Sequence, residues 1–352
     1  MRRRGLIGCV AVVEACLGES FTRSAVAIIA TTSQMSNAPL FTVFTPTYNR
    51  RHTIKRVYDS LRAQTLRDFE WVVVDDGSTD GTAELIAEWS KTADFPIRYI
   101  HQKNSGKHIA HNLAIREAHG RFFAPLDSDD AMLPDALEIF SRSWNTIPPA
   151  ERSGFAGVWG LCCDQHGKLV GDRYPASPLD TDLRDVHYVR RIKGEKWGVV
   201  ATEILRQFPF PEIQKTQFIP EGMIWLGVAK SHKTRFVNEL VRIYYVNDDK
   251  TGPTLTGRAR LDESAPGRLH YYVWLLNNDL EFFFHSPLPF LKATVMLPIV
   301  ARLSGQSFSH VLALLNLFAA KALVCLALPF STLLYMSHKM CGLLGRGKTQ
   351  SS

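Results

Sequence analysis

Cysteine is scarce in this 352-residue sequence, and its six cysteines show neither a C-x-x-C pair nor a regular spacing. This pattern excludes a zinc knuckle and a disulfide framework, and it favours a reducing compartment. The adjacent Cys162 and Cys163 are expected to pack as small apolar side chains. Acidic residues are absent from residues 282–352, which contain six basic residues.

The net charge of +7 is confined to the two ends of the chain. Residues 1–37 carry +2 and residues 282–352 carry +6, which leaves −1 for residues 38–281. A body without excess positive charge lacks the electrostatic footprint of a nucleic-acid-binding domain, so no nucleic-acid partner is expected. The length, with 45% apolar and 21% charged residues, is typical of a folded α/β domain with an appendage, or of two domains.

Residues 1–37 are expected to form an N-terminal extension, for which three interpretations stay open. Three arginines at positions 2–4 precede an apolar run over residues 6–17 that Glu14 interrupts. This order indicates an interfacial or signal-anchor segment, or a cleaved secretory signal, although the acid inside the apolar run argues against the cleaved form. Alternatively, translation begins at Met35 and the segment is not made.

Residues 38–150 alternate between strand-like and helix-like patterns. Short apolar runs bounded by turn residues predict buried strands. Apolar residues with helical spacing between these runs predict helices. The predicted strands cover 40–45, 69–74, 97–100 and 121–126, and the predicted helices lie around 54–61, 85–89 and 109–118. This order predicts a doubly wound α/β sheet that binds its ligand at the carboxyl ends of the strands.

Acidic residues stand where the predicted strands end, and the glycine-rich loops of dinucleotide and P-loop sites are absent from these points. Asp127, Asp129 and Asp130 follow the fourth strand and would repel one another without compensation. Carboxylates in this arrangement suit Mg²⁺ or Mn²⁺ bridged to a diphosphate. The alternative is a solvated acidic turn ahead of the helix that begins near Pro134.

Four segments together resemble the successive signatures of family 2 glycosyltransferases with the GT-A fold, of the type that builds bacterial surface polysaccharides. The segments are TPTYNR at 45–50, WVVVDDGSTDGT at 71–82, NSGKHIAHNLAI at 104–115 and FFAPLDSDD at 122–130. A weaker resemblance continues through 208–212, 220–226 and 237–245. The resemblance implies a Rossmann-like nucleotide-diphospho-sugar transferase fold, here followed by a C-terminal apolar helical extension.

The resemblance also implies a nucleotide-sugar donor, with UDP as the expected nucleotide, and Mn²⁺ or Mg²⁺ held by Asp129. Thr47 and Tyr48 would contact the base, and Asp76, with Asp75, would accept a hydrogen bond from its imide N–H. Asp127 would face the ribose or the diphosphate. The full set of expected donor-binding residues is Pro46, Thr47, Tyr48, Asn49, Arg50, Asp75, Asp76, Lys107, Asn112, Asp127 and Ser128.

Glu221 is the candidate catalytic base, because the acceptor hydroxyl must lose a proton as it attacks the anomeric carbon. Many members of the resembled family carry a Glu-Asp pair on the acceptor side, whereas Gly222 follows Glu221 here. If Glu221 is structural, Glu212 or Asp164 is the alternative base.

His108 and His111 stand three residues apart on the third predicted helix and lack a third metal ligand at a fitting spacing. They are therefore expected to pack in the interior or to contact the diphosphate.

The acid-free tail contains two apolar stretches. Residues 282–300 hold three prolines and a lysine, which predicts a poor continuous helix. Residues 308–336 are long enough to span a bilayer, but Lys321 would then lie within the hydrocarbon. A re-entrant hairpin or a helix pair in the membrane interface agrees better with a cytoplasmic catalytic body. The alternative is a buried helical subdomain over the acceptor site.

The predicted organisation is an N-terminal extension (1–37), a nucleotide-sugar-binding half (38–150), an acceptor-side half (151–281) and a membrane-associated helical tail (282–352, with the membrane contact in 282–336). The predicted function is an inverting, metal-dependent glycosyltransferase that extends a lipid-linked or polysaccharide acceptor at the cytoplasmic face of the cell membrane. The alternatives are a nucleotidyltransferase, which would release pyrophosphate, and a non-catalytic nucleotide-sugar-binding protein, which would bind donor without turnover.

Overall fold

The structure is a computed structural model that describes residues 27–30, 38–213, 216, 218–246 and 261–346. The interpretations of residues 1–37 therefore lie outside the described residues, apart from one short strand at 27–30. The strands are Ala27–Ala30 (β1), Phe41–Thr47 (β2), Phe69–Asp75 (β3), Ile97–His101 (β4), Phe122–Pro125 (β5), Ala131–Met132 (β6), Phe155–Cys163 (β7), Leu179–Thr181 (β8), Lys196–Ala201 (β9) and Lys233–Ile243 (β10).

The α-helices fall into two groups, one that flanks the sheet and one that forms the C-terminal extension. The first group is Lys55–Arg62 (α1), Thr82–Thr92 (α2), Lys107–Glu117 (α3), Ala136–Asn145 (α4), Thr202–Leu205 (α5) and Gly222–Ala229 (α6). The second group is Leu261–Asn278 (α7), Pro287–Leu303 (α8), Phe308–Leu314 (α9) and Phe318–Arg346 (α10).

The described strands form one mixed sheet in the order β1-β4-β3-β2-β5-β9-β7-β10-β6, with β8 also paired to β10. Its centre, β4-β3-β2-β5, is parallel, as the alternating pattern predicts. Successive crossovers run from β2 outward to β3 and β4, and the chain then returns to place β5 on the other side of β2. The crevice where the strand order reverses lies at the carboxyl ends of β2 and β5, where open α/β sheets bind ligands.

Both faces of the parallel centre are covered, which explains its unbroken apolar runs. All seven residues of β3 are buried, including Trp71, because a parallel sheet packs helices on each side. One apolar cluster joins the sheet to α1, α2 and α4 through residues such as Val57, Ile86 and Phe140. A second cluster joins the opposite face to α3 and α6. The central strand ends are thereby held in fixed positions.

The second half of the sheet brings a distant strand to the crevice. β10 pairs in parallel with β7 and antiparallel with β6, and Arg242 lies opposite Met132 in that second pairing. Arg242 therefore lies next to the acidic turn that precedes β6. Cys162 and Cys163 are buried on β7, as expected of small apolar side chains.

The helical extension has its own apolar cluster, formed mainly by α7, α8, α9 and the start of α10. The prediction of a poor continuous helix over 282–300 is wrong for 287–300, which α8 covers without a break, whereas 282–286 lie outside the helix. Pro287 and Pro289 occupy its first turn. Backbone N–H groups in the first turn have no acceptor within the helix, so a proline there removes no hydrogen bond. The apolar stretch 308–336, in contrast, is not continuous, because it divides into α9 and α10.

This division changes the position of Lys321, which lies in the first turn of α10 rather than in the middle of a long span. Within the described residues one segment, Phe318–His338, is long and apolar enough to cross a membrane by length and composition, with a mean hydropathy of 1.7. Little of it is buried in the protein, and a lysine near a helix end can extend its ammonium to the membrane surface.

A G-x-x-x-x-G-K-T pattern occurs at 342–349, in the C-terminal tail. A phosphate-binding P-loop needs this pattern between a strand and the helix that follows it. Residues 342–346 instead continue the long helix α10. The described part of the pattern therefore lacks the context of a P-loop.

Candidate active site

A cavity of about 920 Å³ opens at the carboxyl ends of β2 and β5 and continues to α7 and α8. Ten of the residues expected to act in donor binding, metal binding or catalysis line it together. They are Pro46, Thr47, Tyr48, Arg50, Asp76, Lys107, Asp127, Ser128, Asp129 and Glu221.

Three expected donor-binding residues, Asn49, Asp75 and Asn112, are not among those lining the cavity, and each has a structural partner. The Asn49 side chain accepts a hydrogen bond from the Thr79 N–H at 2.8 Å. The Asp75 carboxylate is fully buried and accepts from the Ser78 N–H and the Tyr99 hydroxyl, both at 2.7 Å. The Asn112 side chain pairs with the backbone N–H and C=O of residue 210. These three residues hold loops in place around the cavity.

Asp76 lines the cavity and also fixes the loop that begins α3. Its carboxylate accepts from Gln102 Nε2 at 2.7 Å, from the Ser105 N–H at 2.7 Å and from the Gly106 N–H at 2.8 Å. Burial raises the pKa of Asp76, against the opposing effect of these hydrogen bonds. Gly106 has φ of 97°, a conformation that favours glycine, and it directs the chain into α3 at Lys107.

Lys107 bridges two carboxylates that come from different parts of the chain. Its Nζ lies 2.6 Å from Asp127 Oδ1 and 2.7 Å from Glu221 Oε1. Burial would lower the pKa of the ammonium, but the two carboxylates outweigh it and raise the pKa of Lys107. One side chain thus joins the expected donor residue after β5 to the candidate base at the start of α6.

Arg242 is a site residue that the sequence reasoning missed. Its Nε donates to Asp130 Oδ2 at 3.0 Å, its Nη2 also contacts Asp130, and Nη2 lies 3.5 Å from Asp127 Oδ2. Burial raises the pKa of Asp130 to about 6, despite the guanidinium beside it. Burial also acts to raise the pKa of Asp127, but Lys107 and Arg242 hold it below its ordinary value.

Asp129 is the member of the acidic cluster that these cations engage least. Its carboxylate lies 3.9 Å from Arg50, measured from Nη2 to Asp129 Oδ2. One carboxylate oxygen from each of Asp127, Asp129 and Asp130 lies within 4.8 Å of the others. Burial, and then the charge of Asp127, raise the pKa of Asp129. Clustered hard oxygen ligands with excess negative charge fit a divalent cation such as Mg²⁺ or Mn²⁺.

His108 and His111 lie on the face of α3 that packs into the interior. Both are 97% buried, and His111 contacts the rings of Phe44, Phe123, Phe210 and Trp225. Burial lowers the pKa of His111 to about 4, so its imidazole is neutral at physiological pH. Packing against aromatic rings is one of the two roles expected for this pair, and the described residues offer it no third metal ligand.

The two alternative bases lie away from the cavity lining. Glu212 is an exposed side chain 3.5 Å from Arg116 Nη1. Asp164 accepts hydrogen bonds from the backbone N–H groups of residues 166 and 168 in an exposed turn. Glu221, in contrast, is a half-exposed carboxylate inside the cavity, beside the aromatic walls formed by Trp225 and Tyr271. Of the three candidates, only Glu221 faces the enclosed space.

The family comparison agrees with the segments described above. Residues 42–150 match the family described as Glycosyl transferase family 2. An uncharacterized glycosyltransferase of Rickettsia conorii is 42% identical over 106 residues, which cover 30% of this chain and 17% of that protein. The predicted resemblance to family 2 glycosyltransferases is confirmed for residues 42–150. The match spans less than a fifth of that relative's length.

Two further proteins resemble more of the chain. A GalNAc(5)-diNAcBac-PP-undecaprenol beta-1,3-glucosyltransferase of Campylobacter jejuni is 25% identical over 213 residues, covering 59% of this chain and 65% of that protein. Residues 1–349 of S. aureus TarS, a structure also solved with UDP and with UDP-GlcNAc, superpose with a TM-score of 0.53 at 18% identity. That superposition covers 85% of this chain and 91% of the TarS chain. The fold is therefore GT-A, as the sequence predicts.

Proposed function

We propose that this protein is an inverting, metal-dependent glycosyltransferase that moves a sugar from a nucleotide-sugar to a lipid-linked or polysaccharide acceptor in cell-surface glycan synthesis. The observation that carries the proposal is the Lys107 bridge between Asp127 and Glu221. It joins an acidic cluster suited to a metal and diphosphate to a carboxylate suited to acceptor activation, within one cavity. These are the two chemical requirements of sugar transfer from a nucleoside diphosphate.

The donor lies at the carboxyl ends of β2 and β5. Tyr48 is 50% exposed in this cavity and offers its ring to the base, next to Thr47 and Asp76. Arg50 and Lys107 supply positive charge for the diphosphate. UDP is the proposed nucleotide, in line with the solved TarS complexes that contain UDP and UDP-GlcNAc.

The acidic cluster holds a divalent cation, with Asp129 as the principal ligand. Asp127 and Asp130 are held by Lys107 and Arg242 at short distance, whereas Asp129 has, within the described chain, only the longer 3.9 Å contact with Arg50. When bound, Mn²⁺ or Mg²⁺ offsets the charge that develops on the departing nucleoside diphosphate. Arg242 keeps the cluster compact by neutralising its buried member, Asp130.

Glu221 takes the proton from the acceptor hydroxyl. The acceptor oxygen forms a bond to the anomeric carbon while the bond from that carbon to the phosphate oxygen breaks, and the nucleoside diphosphate leaves with the electron pair. A single displacement of this kind inverts the anomeric configuration. Lys107 orients the Glu221 carboxylate through the 2.7 Å contact, and its charge also favours the phosphate side of the reaction.

The helical extension attaches the enzyme to the cytoplasmic face of the cell membrane. Large apolar side chains are exposed along α10, including Phe318 at 86%, Leu326 at 78% and Leu333 at 66%. A soluble surface rarely leaves so many large apolar groups in water, and the basic, acid-free composition of the tail suits an anionic bilayer surface.

Membrane attachment predicts that the full-length protein sediments with membranes and is released by detergent. The double change Leu326→Glu and Leu333→Glu should shift it largely to the supernatant, because both side chains are exposed and each added charge opposes insertion. The control is Glu212→Gln plus Asp164→Asn, which alters two residues of the catalytic body that lie outside the cavity lining. A wild-type protein that stays in the supernatant without detergent would contradict the attachment.

The direct experiment for the enzymatic proposal is a donor panel. Purified protein is incubated with UDP-, GDP- and dTDP-sugars, with Mn²⁺ or Mg²⁺, with and without a membrane lipid extract, and nucleoside diphosphate release is followed. Release that requires the cation and increases with the lipid extract is expected. Pyrophosphate release would indicate a nucleotidyltransferase, and donor binding without any release would indicate a binding protein.

A further inference from the structure

The helices α7 and α8 form a wall of the cavity that carries basic side chains, whereas the wall around the acidic cluster carries carboxylates. The wall from α7 and α8 includes Arg268 and Tyr271 from α7, and Leu288 and Lys292 from α8. This wall lies beside the candidate base. The Tyr271 ring approaches Gly222 so closely that a Cβ on this glycine would lie 3.6 Å from the ring, and Gly222 directly follows Glu221. A group bound here is next to the start of α6, where Glu221 stands.

The two cations of this wall have no carboxylate partner among the described residues. Arg268 Nε donates to the Ser264 hydroxyl at 2.9 Å, and its guanidinium lies 5.3 Å from the centroid of the Phe218 ring. Lys292 is exposed at the cavity and forms no ion pair within the described chain. The cavity cations Lys107 and Arg242, in contrast, are each paired with two carboxylates. Arg268 and Lys292 are thus available to an anion.

The surface beside these cations is apolar and exposed. Phe284 is 91% exposed, Leu288 is 76% exposed and Leu291 is 43% exposed. Leu288, Leu291 and Lys292 share one face of α8, because they are spaced three and four residues apart. An exposed apolar face with a cation at the cavity mouth matches a ligand that combines a hydrocarbon chain with an anionic group.

We propose that Arg268 and Lys292 form an anion subsite for the phosphate or diphosphate of a lipid-linked acceptor, whose hydrocarbon chain lies along Phe284, Leu288 and Leu291. This inference rests on the proposed glycosyltransferase function. It adds that the acceptor carries a phosphate or diphosphate and that these two side chains bind it. The subsite is separate from the donor diphosphate site, which uses the acidic cluster with its cation. A sugar attached to the bound phosphate extends along the Tyr271 wall toward Glu221.

Equilibrium binding of farnesyl diphosphate to the full-length protein in detergent micelles tests the subsite. Saturating UDP and Mn²⁺ are present, so that the donor site is filled before the titration. We expect Lys292→Gln and Arg268→Gln each to weaken binding about 10-fold, and the double variant about 30-fold or more, since each removes a charge-assisted contact. Lys321→Gln is the matched control, because it removes a lysine of the same tail that does not line the cavity.

Farnesol and inorganic pyrophosphate are titrated in parallel and should both bind at least 10-fold more weakly than farnesyl diphosphate. Equal binding by the double variant and wild type would overturn the subsite. Pyrophosphate binding as tight as farnesyl diphosphate would overturn the lipid part of the proposal. Lys292→Gln, a change on an exposed side chain, keeps the test valid if Arg268→Gln does not fold.

The donor panel separates this inference from the function on which it rests. A wild type that binds farnesyl diphosphate through Arg268 and Lys292 but releases no nucleoside diphosphate would reject the proposed function and retain the subsite. A wild type that turns over donor, with farnesyl diphosphate binding unchanged in the variants, would reject the subsite alone.

Discussion

Glu221→Gln is expected to lower the rate of sugar transfer by a factor of about 10³ while leaving donor binding within about threefold of wild type. A positioned general base typically contributes 10² to 10⁴ in rate, and glutamine keeps the shape of the side chain without accepting the proton. Lys107 retains its 2.6 Å contact with Asp127 in the variant, so the donor side keeps its charge arrangement. The measurements are kcat with the donor selected by the panel and the dissociation constant of that donor.

Glu212→Gln provides the control for this variant, because the same chemical change occurs at an exposed carboxylate outside the cavity lining. Its transfer rate should stay within about twofold of wild type, as surface substitutions have small effects. Turnover retained in Glu221→Gln would reject the assignment of the base. A large loss in Glu212→Gln with no loss in Glu221→Gln would move the role to the alternative carboxylate.

Asp129→Asn is expected to reduce transfer by about 10² or more and to raise the concentration of Mn²⁺ or Mg²⁺ needed for half-maximal activity. Replacing a carboxylate by an amide removes the negative charge that attracts the cation. Stabilisation of developing charge at a reacting centre is commonly worth 10² to 10³ in rate. Chelation with EDTA should abolish wild-type transfer, and excess Mn²⁺ or Mg²⁺ should restore it.

Binding of Mn²⁺ in the presence of UDP, followed by electron paramagnetic resonance, gives a readout of this site that does not depend on turnover. Asp129→Asn should bind the ion about 10-fold or more weakly than wild type. Asp164→Asn, which alters an exposed turn away from the cavity lining, should bind it normally. Full transfer by wild type after exhaustive chelation would contradict metal dependence.

The sequence predicts the donor half of this fold well, because the patterns that define its strands and helices lie in short, continuous segments of the chain. The apolar runs that become β2, β3 and β5 are short and bounded by turn residues, and parallel strands place their carboxyl ends at one edge of the sheet. The tail is predicted less well. The prolines in 282–300 indicate a break by propensity, but Pro287 and Pro289 lie in the first turn of α8, where proline is tolerated. Pro298 lies inside the helix, which continues past it to Leu303.

The sequence predicts the location of the site better than the orientation of each side chain. Asp75 is the last residue of β3 and Asp76 follows the strand, yet only Asp76 lines the cavity. The buried Asp75 carboxylate instead accepts hydrogen bonds from the Ser78 N–H and the Tyr99 hydroxyl. Asn112 is directed toward residue 210, a partner that lies far away in the sequence.

The sequence does not predict the positions of three further cavity residues, Arg242, Arg268 and Lys292, for a different reason. Arg242 meets Asp130 through the pairing of β10 with β6, over 112 positions of sequence. Arg268 and Lys292 join the cavity through the packing of α7 and α8. Such contacts depend on tertiary arrangement and leave no periodic or spacing signal in a single sequence.

The most direct test of the proposed function follows a radiolabelled sugar from its nucleotide donor into the lipid fraction of membranes that contain the full-length protein. We expect cation-dependent label in the solvent-extractable lipid, with one nucleoside diphosphate released for each sugar transferred, and a near-complete loss of both in Glu221→Gln. Absence of label and of nucleoside diphosphate with every donor, or release of pyrophosphate in its place, would contradict the proposal.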